Sequence, residues 1–381
     1  MRRNASMTFA AFGVSLGFCR RAPVPLAIGR SLITLVLLAS GLFFACSCIS
    51  SDAPKYRREL PLNGGPEDQA VLALDRLGGF CIRAQEARTL ETVHSCLDGV
   101  EGDPVVVVEF NGGSITDTDL VQLAPLKQLR SLRLTRTRIT DGGLKAVAAL
   151  GELREVYLED TAVTDAGLKD LAPLRHLLTL NVSRTAVTNT ALKNLAVFRN
   201  LRKLGLSRTL VTDTGLKELR HLERLQDLDL GPTWVTDAGL KELATLKGLQ
   251  CLDLIGTQVT DAGLRELRPL GELKILYLGN TGVVGVGLAE LADLPRLGKL
   301  QLAYSKLTDT GLKGVAALKE LEDLDIMHTA VTDAGLQELV GLKKLKRLLL
   351  ESTAVTDAGV QKLQQALPNC TISGPDVTGN W

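Results

Sequence analysis

The sequence is poor in the residues that most often build nucleic-acid, metal and small-molecule sites. Only 4% of its 381 residues are aromatic, and it contains four His. Base stacking, a multi-His metal site and an aromatic-lined ligand pocket all need more of these side chains. The formal net charge is +1, whereas a generic nucleic-acid binder carries a basic excess. We therefore expect no nucleic-acid partner and no small-molecule substrate.

Catalytic and cofactor motifs are also missing from the sequence. It has no CxxC, GxSxG or HExxH pattern and no phosphate-binding GxxxxGK motif, and its four His are scattered. Hydrophobic residues nevertheless make up 45% of the chain, which is enough to bury a core. We predict a folded, non-enzymatic protein that needs no cofactor and no metal.

The charge divides unevenly along the chain. Residues 1–50 contain five Arg and no Asp, Glu or Lys, so the remainder has 39 basic and 43 acidic residues and a net charge of −4. An uncharged, largely apolar run follows at 31–51. A basic region before an apolar run is typical of an export signal, and a run of about 20 residues is also long enough to span a bilayer.

Three fates of this leader stay open. A peptidase accepts small residues such as those at 39–41, and Ala45-Cys46 resembles the end of a bacterial lipobox, in which the cysteine is lipidated. The third fate is retention as a membrane helix. We predict that 1–51 is a signal peptide or membrane anchor, attached by lipid at Cys46 or by a helix, with a mitochondrial-type presequence as the weaker alternative. Because the Arg residues precede the apolar run, the rest of the chain is predicted to face the extracytoplasmic side, and to be secreted if the leader is cleaved.

Two cysteines lie close together in the segment after the leader. In an oxidising compartment Cys81 and Cys96 are predicted to form a disulfide. The alternative is a pair of buried thiols that pack as small hydrophobic residues.

The chain repeats itself every 24 residues from Thr116 onward. Thr-Asp dipeptides recur at this period, a Thr-Asn replaces one of them, and the unit that begins at Val284 lacks the pair. The Thr-Asp pairs begin at Thr116, Thr140, Thr164, Thr212, Thr236, Thr260, Thr308, Thr332 and Thr356. A fixed period of this length predicts a solenoid, in which stacked units share one continuous core.

Each unit is predicted to contain one strand and one helix. In the unit at 236–259, Leu252 and Leu254 alternate as in a short strand, and Leu240 and Leu243 have the spacing of one helix face. Asp237 stands where a helix N-cap is expected. The Thr four residues after each strand is predicted to turn the chain toward the helix.

The repeated motif LxxLxLxxTxV resembles the leucine-rich-repeat family, with Thr where that family usually has Asn. The helical half of each unit and the ending at 367–372 are similar to the ribonuclease-inhibitor-like and F-box-associated subclass, and the leader resembles a bacterial exported or lipoprotein type. The resemblance implies an α/β fold, a right-handed horseshoe-shaped solenoid with a parallel sheet on its concave face and helices on its convex face. It is nearly silent on function, because the family is defined by its scaffold.

The segments before and after the repeats are interpreted as a linker, an N-terminal cap and a C-terminal tail. The expected domains are a linker at 52–65, an N-terminal cap at 60–104, the solenoid at 105–373 and a tail at 374–381. Within the cap we predict a helix at 67–77 that is stopped by Gly78 and Gly79, then a strand at 80–83 and a second helix at 85–97.

Candidate binding residues are the outward positions of the strands, because function is expected where the units differ. Tyrosines between two acidic groups suit a protein-binding patch. The predicted patch comprises Asp227, Asp229, Asp253, Tyr277, Lys299, Gln301, Tyr304, Asp323 and Asp325. A cation bound by the first three carboxylates is a weaker alternative. Leu210 and Trp234, which occupy one loop position in adjacent units, are predicted to form an exposed contact on the rim.

The preferred functional hypothesis is a binding scaffold. We predict a membrane-attached, extracytoplasmic solenoid that binds a protein partner on its concave sheet. The alternative is a cytoplasmic adaptor of the F-box type in a degradation or signalling complex, which the leader argues against.

Overall fold

A computed structural model of the chain describes residues 64–87 and 102–374. All of them belong to one compact unit, Arg58–Trp381. The leader at 1–51, Cys46, most of the linker, Cys96 and the tail beyond Gly374 lie outside the described residues, so the predictions made for them stay predictions. Along the described stretches, no helix combines the length and the apolar character that crossing a membrane requires.

One sheet of thirteen strands runs through the described part of the chain in sequence order. Neighbouring strands are parallel and shifted by 24 residues, as for Leu228 opposite Leu252, and only the pair β1–β2 is antiparallel. The strands β1 to β13 are Phe80–Arg83, Val105–Asn111, Ser131–Thr135, Glu155–Tyr157, Thr179–Asn181, Lys203–Gly205, Asp227–Asp229, Cys251–Asp253, Ile275–Tyr277, Lys299–Gln301, Asp323–Asp325, Arg347–Leu349 and Thr371–Ser373.

Short helical segments alternate with the strands, because 24 residues leave room for only one or two helical turns per coil. The α-helices α1 to α11 are Pro66–Arg76, Ala84–Ala87, Asp141–Ala148, Asp165–Asp170, Asn189–Leu195, Asp213–Leu216, Asp237–Leu243, Asp261–Leu264, Asp309–Val315, Asp333–Leu336 and Asp357–Ala366. Segments of 3-10 helix are Asp117–Leu123, Lys217–His221, Arg265–Leu267, Val286–Leu291 and Gln337–Gly341.

A single leucine-rich core fills the space between the strands and the helices. Leu252 and Leu254 of one coil are fully buried together with Leu240 and Leu243 of the helix before them, and the same positions repeat in the other coils. No coil can bury this set alone, so each one depends on its neighbours. The predicted α/β leucine-rich solenoid is therefore confirmed.

The repeated Thr after each strand closes a turn. The hydroxyl of Thr257 donates to the carbonyl of Leu254 at 2.7 Å, and the equivalent Thr of other coils makes the same bond. Ser305 occupies this position in one coil, and its buried hydroxyl has no hydrogen-bond partner. The predicted turning role of the Thr agrees with this geometry.

The two residues of each Thr-Asp pair have different roles, and the N-cap is not Asp237, as the sequence predicted. Thr236 is the N-cap and accepts from the N–H of Ala238 at 3.3 Å, while Asp237 is the first helical residue. Asp237 instead accepts from the N–H and the hydroxyl of Thr260 in the next coil, at 2.7 and 2.6 Å. The assignment of Asp237 as N-cap was wrong, because its carboxylate reaches across to the following coil and joins the two.

We expect Asp237→Ala to lower the free energy of unfolding by about 1–3 kcal/mol, because it leaves the Thr260 N–H without an acceptor. The matched control is Asp357→Ala, since Asp357 is also the first residue of its helix but has no following Thr-Asp coil to join. That control loses only its interaction with the helix dipole, worth less than about 1 kcal/mol. Urea unfolding measures both variants, and equal losses would contradict the inter-coil role.

The coil that begins at Val284 lacks its own Thr-Asp pair and is capped by the coil before it. Its helical segment is the 3-10 helix Val286–Leu291, and Gly285 has φ +105°, a conformation that favours glycine. The N–H groups of Val284, Gly285 and Gly287 donate to the carboxylate of Asp261 at 2.7, 3.0 and 2.6 Å. Asp261 therefore supplies the acceptors that the missing pair would have provided.

The N-terminal cap covers the first edge of the sheet. Strand β1 pairs with β2, and Arg83 at its end binds the carboxylate of Asp68 at 2.5 Å and the carbonyl of Asp103 at 2.9 Å. Helix α1 starts at Pro66 and ends before Gly78, close to its predicted bounds. Only Ala84–Ala87 of the predicted second helix is described.

Candidate functional site

The constant register of the strands gathers most of the predicted patch into two parallel rows. The rows lie on the side of the sheet away from the helices, which we call the outer sheet face and which was predicted to be concave. Along one row stand Asp227, Cys251, Ile275, Lys299 and Asp323, and along the next stand Asp229, Asp253, Tyr277, Gln301 and Asp325. Adjacent members are about 4.8 Å apart because they are opposite each other on paired strands.

Two members of the predicted patch are less exposed than the sequence indicated. Tyr277 and Asp229 are each only 5% exposed, and Cys251 beside them is 6% exposed. Strand alternation assigns a side chain to a face but not a depth on that face. The Lys299 ammonium lies 5.5 Å from the centre of the Tyr277 ring, which contributes to covering it. The expectation that Tyr277 and Asp229 are exposed contacts is therefore corrected.

Tyr304 is the exposed tyrosine of the predicted patch. Its side chain is 51% exposed and stacks on the His328 ring, with ring centres 4.1 Å apart and planes 13° from parallel. Both residues have positive φ, of 60° and 53°, at the loop position that follows the strand. Gln301, by contrast, has a structural bond, since its side-chain oxygen accepts from the Gly279 N–H at 3.0 Å.

In the second predicted acidic group, Asp323 has basic partners, whereas Asp325 forms no ion pair within the described part of the chain. Asp323 forms an ion pair with Arg347 and lies 3.9 Å from the Lys299 ammonium. The bond to Asp323 raises the pKa of Arg347. Asp325 accepts from the Met327 N–H at 3.0 Å, and its pKa is raised by burial although Lys299 opposes the rise. Asp323 therefore offers little free negative charge, and Asp325 lies close to Glu351 as well as to Lys299.

The first acidic group has no such counter-charge. Among the described residues, no Lys, Arg or His forms an ion pair with Asp227, Asp229 or Asp253, which we call the acidic patch. Lys203 stands in register with Asp227 but forms no ion pair with it in the described structure. Ion pairs occur toward the first coils, as between Arg184 and Asp160 at 3.8 Å. The acidic patch therefore forms no ion pair within the described ranges, although Lys203 lies beside it on the neighbouring strand.

The carboxyl groups of the acidic patch are forced close together and partly out of water. Burial, and then the charge of Asp253, raise the pKa of Asp229 well above its usual range. Burial likewise raises the pKa of Asp253 to about 6, with a further contribution from the charge of Asp227. One carboxylate oxygen of Asp229, Oδ2, is buried without a hydrogen-bond partner. These carboxylates are therefore held in an unfavourable setting by the fold.

An asparagine elsewhere in the same row shows what the fold itself needs at these positions. The other oxygen of Asp229 accepts from the Gly231 N–H at 2.9 Å, and Asp253 accepts from the Ile255 N–H at 2.8 Å. In another coil, Asn181 makes the same bond to the N–H two residues ahead, at 2.9 Å. An amide oxygen is therefore sufficient for this turn, and the negative charge is not required by it.

Buried carboxylates also occur in the first coils, where they have partners. Glu155 is 6% exposed and accepts from the Ser131 hydroxyl at 3.0 Å. Burial raises its pKa, and also that of Glu159, while nearby Arg and Lys side chains oppose the rise. These groups differ from the acidic patch because hydrogen bonds and cations surround them.

The predicted rim contact is exposed. Leu210 is 54% exposed and Trp234 is 61% exposed, and they occupy equivalent positions of adjacent coils. Their main chains hydrogen-bond to the preceding coils, Leu210 to Val187 and Trp234 to Val211. These two side chains, which we call the rim pair, therefore project from a backbone that is held in place.

A feature missed in the sequence connects the acidic patch to the rim pair. The position before the repeated Thr carries a large side chain in most coils, namely Arg136, Asp160, Arg184, Arg208, Asn280, Tyr304 and His328, all with positive φ. In the two coils of the acidic patch it is Pro232 and Gly256. Gly256 has φ +68°, and a Cβ there would lie 3.0 Å from the Pro232 ring. An alignment of the units by their repeated Thr would have revealed this feature, because the residue before the Thr is large in most units but is Pro232 or Gly256 in these two.

The described residues contain no group that could hold a metal ion, and the cavity at Lys274 and Arg296 lies away from the acidic patch. No group of three or more His, Cys, Asp or Glu in the described ranges is arranged to hold a metal ion. A cavity of about 350 Å³ lies nearer the end of the solenoid, and its lining mixes cations such as Arg296 with anions such as Glu320. Arg296 and Glu320 each form ion pairs, with Glu272 and Lys344 respectively.

Cys81 is a half-buried free thiol in the described residues. Burial raises its pKa to about 12, with the charge of Asp75 adding to the rise. A thiol with so high a pKa is a poor nucleophile at neutral pH. Because Cys96 lies outside the described residues, the disulfide between them stays a prediction.

A family profile and one solved structure with a TM-score above 0.5 resemble this chain at the level of the fold. The Leucine Rich repeat family profile matches residues 127–148 and 319–340. An internalin from Listeria monocytogenes has a TM-score of 0.54 at 18% identity, over 78% of this chain and 96% of the internalin. The match to a leucine-rich-repeat protein from Leptospira interrogans (TM-score 0.42, 20% identity) covers 66% of this chain and 74% of the Leptospira chain. Internalin C2 from Listeria monocytogenes (TM-score 0.41, 26% identity) covers 55% and 84%.

No curated protein matches the chain by sequence. The stacked strand-and-helix coils and the matched repeats nevertheless agree with one another on the architecture. The chain therefore carries leucine-rich repeats at the matched residues and has the fold of a leucine-rich-repeat solenoid.

Proposed function

We propose that the protein is a non-enzymatic scaffold that binds a protein partner on its outer sheet face. The observation that carries the proposal is the acidic patch, three carboxylates without an ion-pair partner among the described residues, on a sheet whose backbone is fixed by hydrogen bonds. A surface that is already ordered loses little conformational entropy on binding. Complementary charge on a partner would compensate the patch and orient the complex.

The proposal places this scaffold on the extracytoplasmic side of a membrane. It rests on the sequence of the leader, in which five Arg precede the apolar run at 31–51. Attachment by a lipid on Cys46, as in the bacterial lipoprotein type, or by a retained helix gives the same orientation. Fractionation of cells tests this part, since a soluble cytoplasmic protein with an intact leader would contradict it. No feature of the described residues favours the cytoplasmic adaptor over this scaffold.

We expect partner capture to fail when the acidic patch is neutralised. The variant Asp227→Lys, Asp229→Asn and Asp253→Asn removes the negative charge without placing a lysine at the buried Asp229. The matched control, Glu218→Lys, Glu242→Gln and Glu266→Gln, makes the same charge change on the helical side of the two coils of the acidic patch and of the next one. Both are used as baits in envelope extract, and the captured proteins are quantified by mass spectrometry. We expect at least a tenfold loss for the first variant only, and unchanged capture would reject the acidic patch as the site.

A further inference from the structure

The negative charge of the acidic patch serves no bond that the fold needs. Asn181 makes the same turn hydrogen bond as Asp229 and Asp253 in another coil, so an amide would be sufficient at both positions. The carboxylates instead lie in register beside each other, which places like charges together. A positively charged group bound at this place would compensate both carboxylates.

A buried oxygen gives independent support for a missing cation. Asp229 is 5% exposed, and its Oδ2 has no hydrogen-bond partner among the described residues. Buried polar atoms in folded proteins are nearly always hydrogen-bonded, so this carboxylate oxygen is an acceptor that remains available to a donor from outside the chain. The side chain next to it in register on the other side is absent, because that residue is Gly205.

The chemistry of the patch favours a guanidinium group over a metal ion. No cluster of metal-ligating side chains is formed in the described ranges, so the carboxylates do not converge on one point. A guanidinium is planar, carries five N–H donors and is more weakly hydrated than an ammonium, which suits carboxylates that stand side by side on a sheet. Lys203 lies beside Asp227 in the same row, whereas Lys299 lies three strands further along it.

The two coils of the acidic patch lack a large side chain at the position before the repeated Thr. Pro232 and Gly256 stand there instead of the large residues found in most other coils. Beyond them stands Trp234, 61% exposed and in the same coil as Asp229. An extended segment that reaches the patch can therefore continue to the rim pair, where a large apolar side chain or a second guanidinium packs on the indole.

We propose that the acidic patch and the rim pair form one surface that binds an extended, arginine-bearing segment of the partner protein. One guanidinium lies on Asp227 and Asp253 above the buried Asp229, and a neighbouring apolar side chain contacts Trp234 and Leu210. This inference rests on the proposed function, because it names the kind of partner segment that the outer sheet face recognises.

A pair of labelled peptides tests the proposal. The first carries arginine and leucine separated by glycine, and in the second each arginine is replaced by citrulline, which keeps the shape and removes the charge. Binding to the full 381-residue chain in mild detergent is measured by fluorescence anisotropy at 0.15 M salt. We expect the arginine peptide to bind at least tenfold more tightly than the citrulline peptide.

Variants locate the binding. Asp229→Asn with Asp253→Asn is expected to weaken the arginine peptide at least tenfold, and Trp234→Ala at least fivefold. The matched control is Asp325→Asn, which removes a carboxylate from the same row that makes the same turn bond but has Lys299 nearby. It is expected to change the affinity less than twofold. Because Asn is already accommodated at this position of the turn, loss of binding is not expected to arise from unfolding.

Several outcomes would overturn the inference. The first is equal binding of the two peptides. The second is an unchanged affinity for the arginine peptide in the double variant or in Trp234→Ala. The third is a loss of affinity in Asp325→Asn as large as in the double variant, which would indicate diffuse charge attraction. Displacement of the peptide by calcium chloride at about millimolar concentration, dependent on Asp229 and Asp253, would assign the patch to a divalent cation instead. If the peptides fail while neutralisation of the patch still abolishes capture from extract, the proposed function stands and only the arginine segment is rejected.

Discussion

At pH 7, Asp253→Asn is expected to raise the free energy of unfolding, by up to about 3 kcal/mol. The folded protein raises the pKa of Asp253 from 3.8 to about 6, chiefly by burial. Ionisation of this carboxyl group at neutral pH therefore lowers the free energy of unfolding. Asparagine keeps the acceptor for the Ile255 N–H and removes the charge, as Asn181 already does in its own coil.

The pH dependence of this gain follows from the direction of the shift. Because the folded state holds the proton more tightly than the unfolded state, the contribution of Asp253 to stability falls as the pH rises from about 4 to about 6. Well below pH 3.8 the carboxyl group is protonated in both states, so the variant and the wild type are expected to approach equal stability there. Above about pH 6.5 the full difference is expected. Removing this charge also removes one cause of the raised pKa of Asp229. The effects of the two Asn substitutions on stability are therefore not additive.

Urea unfolding at pH 4, 5, 6 and 7.5 measures the effect. The reverse substitution, Asn181→Asp, is the matched control and is expected to destabilise the protein at pH 7.5 while changing little at pH 4. A gain for Asp253→Asn that is the same at every pH would contradict the electrostatic cause. The prediction also separates stability from binding, since the same substitution that stabilises the fold is expected to remove a contact with the partner.

The architecture was predictable from sequence because its cause is local and periodic. A 24-residue period fixes both the length of each coil and the register of the strands, so Leu252 must lie opposite Leu228. The same arithmetic makes Asp323 the neighbour of Lys299 and Arg347, and reading the sequence in columns would have predicted its neutralisation. What the period provides is therefore the identity of neighbours on the sheet.

Depth and contacts between coils were not predictable in the same way. Alternation placed Tyr277 on the outer sheet face, but its burial depends on the side chains of the coils beside it. The role of Asp237 was misassigned because its hydrogen-bond partner, Thr260, lies 23 residues away in the next coil. Both errors come from interpreting a unit by itself, whereas each unit of a solenoid is completed by its neighbours.

Gly311→Ala is expected to lower the free energy of unfolding by about 3 kcal/mol or more. Intrinsic helix propensity alone would make the alanine variant more stable by about 1 kcal/mol. The expected loss of stability is therefore opposite to what helix propensity predicts. The reason is the preceding coil, whose backbone carbonyl at Val284 occupies the space where the Cβ would be placed. The side chain of Leu307 lies 3.0 Å from the same point, so the added methyl group has no free direction.

Equivalent glycines in other coils provide the controls. A Cβ at Gly239 would meet only side-chain atoms, those of Asp213 and Leu216, and the fold accepts Ala191 at the same position of another coil. Gly239→Ala is therefore expected to cost less than Gly311→Ala, because a side chain can rotate and a backbone carbonyl cannot. Gly271→Ala faces open space and is expected to be neutral.

The position of the clash also predicts where the solenoid would open. Val284 and Gly285 depend on Asp261 of the coil before them for their hydrogen bonds, while Gly311 and Gly314 pack against the carbonyls of Val284 and Gly285. A methyl group at 311 must displace this loop, and the loop joins the coils on either side of it. Hydrogen exchange is therefore expected to increase first in residues 284–291 and 309–315, before global unfolding. Uniform exchange along the solenoid, or a stability equal to that of Gly239→Ala, would contradict a backbone clash at this junction.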